Sequence, residues 1–381
     1  MPSATQWPRL QRPRSSPCLL FAANSKIICC IRKDSPTRRA AASKSEVQVK
    51  PHPVGDRRLG RIVHLLTGHA TVVMSGTKIA EEIGSTRSEV WRLIQQLRGL
   101  GVDVAGHPAT GYQLRAVPDI LLPEFIQPLV RGTIFEAHIH HFYRIGSTNT
   151  SAMEAAAAGA PEGSVFFAEE QVAGRGRGAN QWQSPPSTGI YCSVILRPSV
   201  PPSEVLVLSL AAGLAVRSAV LGLLPDLAVD LKWPNDLLVG DRKFCGILTE
   251  MNAEVMRVRH VVVGIGINVN QDEFPAELAD VATSLRIAAG KEVSRVALAA
   301  ALLKSLDHEV GALFRGMPPR HEVLRRFTDA SSWLRGTKVR IDDSGAVVEG
   351  TTEGLDDRGF LLVRTRYGMQ TVMSGTVRKA E

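Results

Sequence analysis

Apolar residues recur along this chain with three different periods, and the changes of period divide it. From Leu59 the pattern is of short amphipathic segments: Leu59 to Leu66, Thr77 to Ile83 and Glu89 to Leu97. Ile79 and Ile83 share one helix face, and Val90, Ile94 and Leu97 share another at the i, i+4, i+7 spacing of a buried stripe. The turn Gly84-Ser85-Thr86 separates two of these helices, with Ser85 or Thr86 placed to cap the second. Val102 to Ala105 and Gly111 to Leu114 follow as a hairpin around GHPATG. Three helices and a hairpin predict a winged helix-turn-helix over residues 57–116.

Pro118 to Pro128 reads as a linker, and beyond it the period shortens. Strand candidates are His138 to Arg144, Ser164 to Glu169, Gly189 to Leu196, Ala228 to Lys232, Lys243 to Glu250 and His260 to Val269. Helices are expected over Asn149 to Ala158 and over Glu204 to Leu224, the latter with Ser203 as N-cap. An α/β (α+β) unit with a central sheet backed by helices is expected over residues 117–330. After Ser331 the texture changes again: Thr337 to Asp342, Val347 to Leu355, Phe360 to Thr365 and Met369 to Val372 are short strands between turns, which predicts a small barrel over 331–381.

Charge alters this picture in one place. The formal net charge of +8 resides in residues 1–55, where ten bases face two acids, so the rest of the chain is balanced. Residues 1–56, Arg- and Ser-rich and broken by prolines, fit a transit peptide, a disordered tail or a start codon set too far upstream. The apolar run Cys18 to Ala23 is too short for a membrane span. Three of the five cysteines lie in this leader; Cys192 and Cys245 sit in apolar strands without metal-type spacing and are expected in the core of a cytoplasmic protein. Residues 57–115 still hold eight bases against four acids. The outward positions Arg87, Ser88, Trp91 and Arg92 on the second helix of the turn are therefore candidates for groove contact with DNA, the alternative being a protein-interaction module.

Three segments carry candidate chemistry. In Gln171-Val-Ala-Gly-Arg-Gly-Arg-Gly-Ala-Asn-Gln-Trp182, glycines let the backbone approach a ligand while Arg175 and Arg177 supply two permanent cations, a phosphate-binding composition; an RG-type tether would come in longer repeats. Lys232-Trp-Pro-Asn-Asp236 ends an apolar strand where proline stops it and leaves polar groups at the carboxyl end, with Lys232 suited to neutralising a carboxylate and Asn235 and Asp236 to orienting phosphates or magnesium. Gly264-Ile-Gly-Ile-Asn-Val-Asn270 lacks the third glycine of a dinucleotide fingerprint and fits the floor of a buried pocket. His138, His140 and His141 have no third ligand nearby, so no protein-bound metal is expected.

STN at 147–149, QVAGRGR at 171–177, KWPND at 232–236, RKFCGIL at 242–248 and GIGINVN at 264–270, in this order, resemble biotin protein ligases. With the winged helix in front and the barrel behind, residues 57–380 resemble the bifunctional bacterial type that also represses biotin operons. The resemblance implies the class II synthetase-like biotin/lipoate ligase fold, a central mixed sheet with helices, followed by an SH3-like barrel. It implies that Ser147, Thr148, Asn149 and Gln171 hold the biotin ureido ring, that Arg175, Gly176 and Arg177 close over the biotin carboxylate and nucleotide phosphate, and that Lys232 acts at the activated carbonyl. Gly246 and Gly266 complete the biotin set; Trp182, Asn235 and Asn268 join Arg177 on the nucleotide side. ATP and Mg2+, biotin, a biotin carboxyl carrier protein, operator DNA and a homodimer through the central sheet follow from the same resemblance. One stretch departs from it: Gly178-Ala179-Asn180-Gln181 stands where many bacterial ligases carry further Arg and Lys, which puts repressor behaviour in doubt and leaves ligation intact. Two competing readings are a lipoate or octanoate ligase, whose Gly-Gly-Gly signature is missing, and a DNA-binding regulator without ligase activity.

Overall fold

The computed structural model describes residues 54–380 apart from 70–71, 100–101, 108–109, 117–118, 179, 256, 316–319 and 344–345. Of the expected leader, residues 1–56, residues 1–53 lie outside the described residues and residues 54–56 begin the first helix; Pro118 and Ala179 also lie outside.

The amphipathic segments form α1 (Val54–Gly68), α2 (Gly76–Ile83) and α3 (Arg87–Gly99), followed by the hairpin β1 (Val104–His107) and β2 (Gly111–Leu114). Ser75 Oγ accepts from Lys78 N at the start of α2, and Gly84 closes it at φ 64°, a left-handed conformation that glycine adopts without strain. Of the two caps considered for α3, Thr86 serves: its hydroxyl accepts from Glu89 N at 3.2 Å. The predicted stripes converge, with Leu59, Ile62, Ile79, Ile83, Val90, Ile94 and Leu97 in one buried cluster.

The expected linker is not one. Residues 123–126 form α4 (Pro123–Ile126) and a 3-10 turn spans Gln127–Val130. Ile120 and Leu122 pack into the winged-helix core, while Leu121, Ile126 and Val130 pack into the larger core that follows. The prolines mislead because Pro123 sits in the first turn of its helix, where no amide proton is needed.

Then come β3 (Ile139–Ile145), α5 (Thr148–Ala157), β4 (Val165–Gln171), β5 (Gly189–Leu196), α6 (Leu206–Leu223), β6 (Val229–Lys232), β7 (Asp236–Val239), β8 (Arg242–Ala253) and β9 (Val258–Asn268). They build one seven-stranded sheet in the order β3-β4-β5-β9-β8-β7-β6. Only the β3/β4 pair is parallel, so the sheet is mixed. α5 covers one face through Ala152, Ala156, Phe166, Ile195 and Val262. The other face is covered by α6 and by α8 (Arg295–Arg315), which follows the short α7 (Leu285–Ala289), and α9 (Arg320–Asp329) packs on α6. Ser203 is not the cap of α6: it lies in a 3-10 turn, Pro202–Glu204, and Val205 takes the cap position without a side-chain bond. This helix is long and apolar enough to cross a membrane by composition, yet 72% of its apolar window is buried inside the protein against α8 and the sheet.

The chain ends in β10 (Arg335–Asp343), β11 (Ala346–Leu355), β12 (Leu361–Thr365), β13 (Gly368–Val372) and β14 (Thr376–Lys379), a five-stranded antiparallel sheet in the order β13-β12-β11-β10-β14.

Candidate active site

At the end of β3 the chain turns at Gly146 into α5 and buries three polar residues in succession, Ser147, Thr148 and Asn149. Buried polar groups of this kind need partners, and here the strands supply them. Thr148 N and Oγ1 both donate to Gln171 Oε1, at 2.8 and 3.1 Å, and Gln171 Nε2 donates to Ser184 Oγ at 2.9 Å. Ser193 Oγ stands 2.6 Å from Asn149 Oδ1 and 2.8 Å from Thr148 Oγ1. Asn149 Nδ2 donates to Leu248 O and to Glu250 Oε2. The helix start is thus held rigid by β4, β5 and β8.

Opposite this set, β8 and β9 present bare backbone. Gly246 and Gly266 are register partners. A Cβ on Gly266 would stand 2.6 Å from the indole of Trp182, and one on Gly264 would stand 2.0 Å from Asn149 Oδ1. These glycines form the floor expected of GIGINVN, with the Trp182 ring lying on it. Trp182 Nε1 is buried without a hydrogen-bond partner among the described residues.

The loop between Gln171 and Trp182 arches over the floor as a small closed turn. Arg175 and Gln181 form an isolated bridge, Gly176 N donates to Asn180 O at 2.9 Å, and Gly178 takes φ 70°. Its two cations are both engaged: Arg175 with Glu250 on β8, at 2.8 Å, and Arg177 with the carbonyl of Gly375 at the start of the last strand's approach.

In KWPND the strand ends at Lys232 as expected, and the chain then returns: Trp233, Pro234 and Asn235 make a tight hairpin between β6 and β7, with Lys232 and Asp236 as cross-strand partners. Trp233 is buried and its Nε1 donates to Gly359 O at 2.9 Å. Asn235 Nδ2 donates to Ile247 O, and Asp236 pairs with Lys243 at 2.6 Å. Lys232 Nζ lies 4.3 Å from the Trp333 ring centroid. Burial holds its ammonium below the ordinary lysine range, with Asp236 opposing and Lys243 adding to the shift.

Ser147, Thr148, Asn149, Gln171, Arg175, Gly176, Arg177, Trp182, Asn235, Gly246 and Gly266 line a single pocket. Lys232 and Asn268 do not: Lys232 stands beside it against Trp333, and Asn268 secures the following loop through Thr283 O and Gln271. The wall also includes Tyr191, Lys243 and Gly264. Ser193 and Glu250, which tie its polar end together, lie outside every motif; only their place on the strands signals them, Ser193 being the register partner of Gly264. Cys192 and Cys245 are buried, and burial pushes both thiols up, away from nucleophilic thiolates. His141 is bound to Glu169 at 3.0 Å and His140 stacks on Phe166. On α3, Arg87, Ser88, Trp91 and Arg92 are all exposed, with Arg92 chelated by Glu89 at 2.9 and 2.7 Å.

Comparison with known proteins agrees with this arrangement. Residues 141–268 match the model of the biotin/lipoate A/B protein ligase family, residues 336–379 that of the biotin protein ligase C-terminal domain, and residues 58–113 that of an HTH domain. The bifunctional ligase/repressor BirA of Bacillus spizizenii is 40% identical over 236 residues, covering 61% of this chain and 72% of that protein. BirA of Escherichia coli is 32% identical over 236 residues, covering 61% of this chain and 70% of that protein. Among solved structures, the biotin protein ligase from Aquifex aeolicus in complex with biotin and ATP superimposes with a TM-score of 0.56 at 28% identity, covering 64% of this chain and all of that one. Motifs, fold and relatives agree, and the chain belongs to the biotin protein ligase family.

Proposed function

We propose that this protein joins biotin to ATP as biotinyl-5′-AMP with release of pyrophosphate, and then passes the biotinyl group to one lysine of a biotin carboxyl carrier protein. The observation that carries this reading is the meeting, in one pocket, of a buried polar cluster at the start of α5, a bare glycine floor and a two-arginine loop. A ureido ring needs paired donors and acceptors in a dry site, which the Ser147, Thr148, Asn149 and Gln171 end supplies. A lipoyl or octanoyl chain has no such group to satisfy it.

In the first step a biotin carboxylate oxygen attacks the α-phosphorus and the pyrophosphate leaves. In the second the acceptor lysine attacks the mixed anhydride and AMP leaves. No enzyme nucleophile takes part. Arg175 neutralises the carboxylate, Arg177 exchanges the Gly375 carbonyl for a phosphate oxygen, and Lys232 approaches the carbonyl from beside the pocket. Trp182, Asn235 and Asn268 belong to the nucleotide side, Trp182 offering its ring to the adenine. The pocket-side carboxylates Glu250 and Asp236 are each held by a cation, so the donor set is not a metal cage. Mg2+, carried on the ATP phosphates, would supply screening of the polyphosphate charge.

We divide the chain at 116/117 and 330/331 and place it in the cytoplasm as a homodimer joined through the central sheet. The winged helix, with Arg87, Ser88, Trp91 and Arg92 exposed, supports a second role at operator DNA.

Incubation with labelled biotin, Mg-ATP and a carrier domain is expected to label one lysine and to accumulate biotinyl-adenylate when the carrier is omitted. Labelling by lipoate alone, or no adenylate, overturns the reading.

A further inference from the structure

Glu250 belongs to none of the motifs that mark the site, yet two parts of the pocket, the arginine loop and the start of α5, meet on its side chain. It lies on β8 at positions i+2 and i+4 from Leu248 and Gly246, on the same face of the strand. Its carboxylate is 12% exposed. One oxygen is 2.8 Å from an amino nitrogen of Arg175; the other accepts from the second amino nitrogen at 3.2 Å and from Asn149 Nδ2 at 3.0 Å.

The consequences follow from donor and acceptor counts. A guanidinium carries five N–H donors, so an arginine held along one edge still presents others to a ligand. The Arg175 loop is rich in glycine, and without an anchor its guanidinium must be ordered anew by each ligand. The Asn149 amide has both donors aimed, at Leu248 O and Glu250, while its oxygen receives Ser193. A carboxylate accepts on both oxygens, as this arrangement uses them; a carboxamide in its place would turn an NH2 toward the donors of one side.

We infer that Glu250 is a positioning residue of the activation step, setting Arg175 and Asn149 jointly for a ligand that carries a carboxylate. This rests on the ligase reading above.

The test is Glu250→Gln in the full chain. The KM for biotin is expected to rise about tenfold or more, with kcat and the KM for ATP changed by less than about threefold. On an Arg175→Ala background, the further loss caused by Glu250→Gln should fall below about threefold, because the shared partner is gone. Glu250→Asp keeps the charge, draws it back by one methylene, and should give an intermediate KM; it also stands in if the Gln variant does not fold. Without any ligand, trypsin should cut after Arg175 about fivefold faster in the Gln variant, the freed side chain being open to capture. Equal losses in kcat and KM, additivity with Arg175→Ala, or unchanged cleavage after Arg175 overturns the role. Absence of adenylate from the wild type instead overturns the ligase reading, and the tryptic comparison still decides whether Glu250 holds Arg175.

Discussion

One hydrogen atom at residue 264 decides whether Asn149 has a place. A methyl group there would stand 2.0 Å from Asn149 Oδ1, far inside van der Waals contact, so either β9 or the start of α5 must move. Gly264→Ala should therefore weaken biotin binding by about 100-fold or more, measured by calorimetry, since misplacing binding groups by about 1 Å is that costly. Gly222 in α6 is the control, because a Cβ there meets nothing within 4 Å. Gly222→Ala should leave binding unchanged and stabilise the fold by about 0.5–1 kcal/mol. The same residues show what a sequence can and cannot say. GIGINVN announces bare backbone, and its reading as a floor follows from glycine alone. What fills the space above, Asn149 over Gly264 and Trp182 over Gly266, comes from segments about a hundred residues earlier, and no local pattern encodes that pairing. Ser193 and Glu250 escaped for a related reason: one is a lone small polar residue in an apolar strand, the other one of several polar residues on β8, and the role of each depends on which neighbour it faces.

Among the elements, α3 was fully legible because its evidence is local: a capping threonine, a stripe at helical spacing and an outward face. The structure adds a ranking to that face. Arg92 is chelated by Glu89 and must leave a carboxylate to meet phosphate, whereas Arg87 pairs with no carboxylate among the described residues. Arg87→Ala should therefore weaken operator binding more than Arg92→Ala, each lowering the slope of log affinity against log salt by about one per lost phosphate contact. Gel shifts across a salt series measure this, and ligation should be unaffected by either change. The elements that were not legible are those whose signals point two ways. Pro123 reads as a breaker and is a helix start. Pro234 reads as a strand end, which it is, and nothing local says that the chain turns back on itself there, so β7 was missed. Lys232 keeps its place at the end of β6 and gains Asp236 as its cross-strand partner beside the pocket.

In the whole molecule, the segment that follows the winged helix is tied to the catalytic sheet through charge as well as apolar packing. Arg295, at the start of α8 and 2% exposed, pairs with Glu169 on β4 at 2.7 Å and donates to Gly189 O on β5. It also bonds the carbonyl of Asp119, while Glu169 accepts from Leu121 N at 2.9 Å and binds His141 on β3. Burial alone would raise the Glu169 carboxyl, but the His141 bond and the Arg295 charge outweigh it and bring it from 4.5 down to about 2. A carboxylate depressed on folding contributes stability that is complete above its unfolded value and lost as protons return. Stability should fall as pH drops from 4.5 toward 2. Arg295→Met strands the buried carboxylate and should cost about 3–5 kcal/mol at neutral pH, with the acid transition moved to higher pH. Denaturant melts over this pH range check both. Nothing in the sequence singled out this network, because its members are spread from residue 119 to residue 295 and none lies in a motif.

The contact between Arg177 and the Gly375 carbonyl has a further meaning for how the protein comes into being. Chains are made and begin to fold from the front, so the winged helix and most of the central sheet leave the ribosome while β10 to β14 are still being added. During that interval the loop can already meet β8 through Arg175 and Glu250, but the Gly375 carbonyl is not yet there for Arg177. The last tie of the loop is therefore made by the carbonyl of a residue 198 positions downstream, and a nascent chain has its glycine floor before that tie is complete.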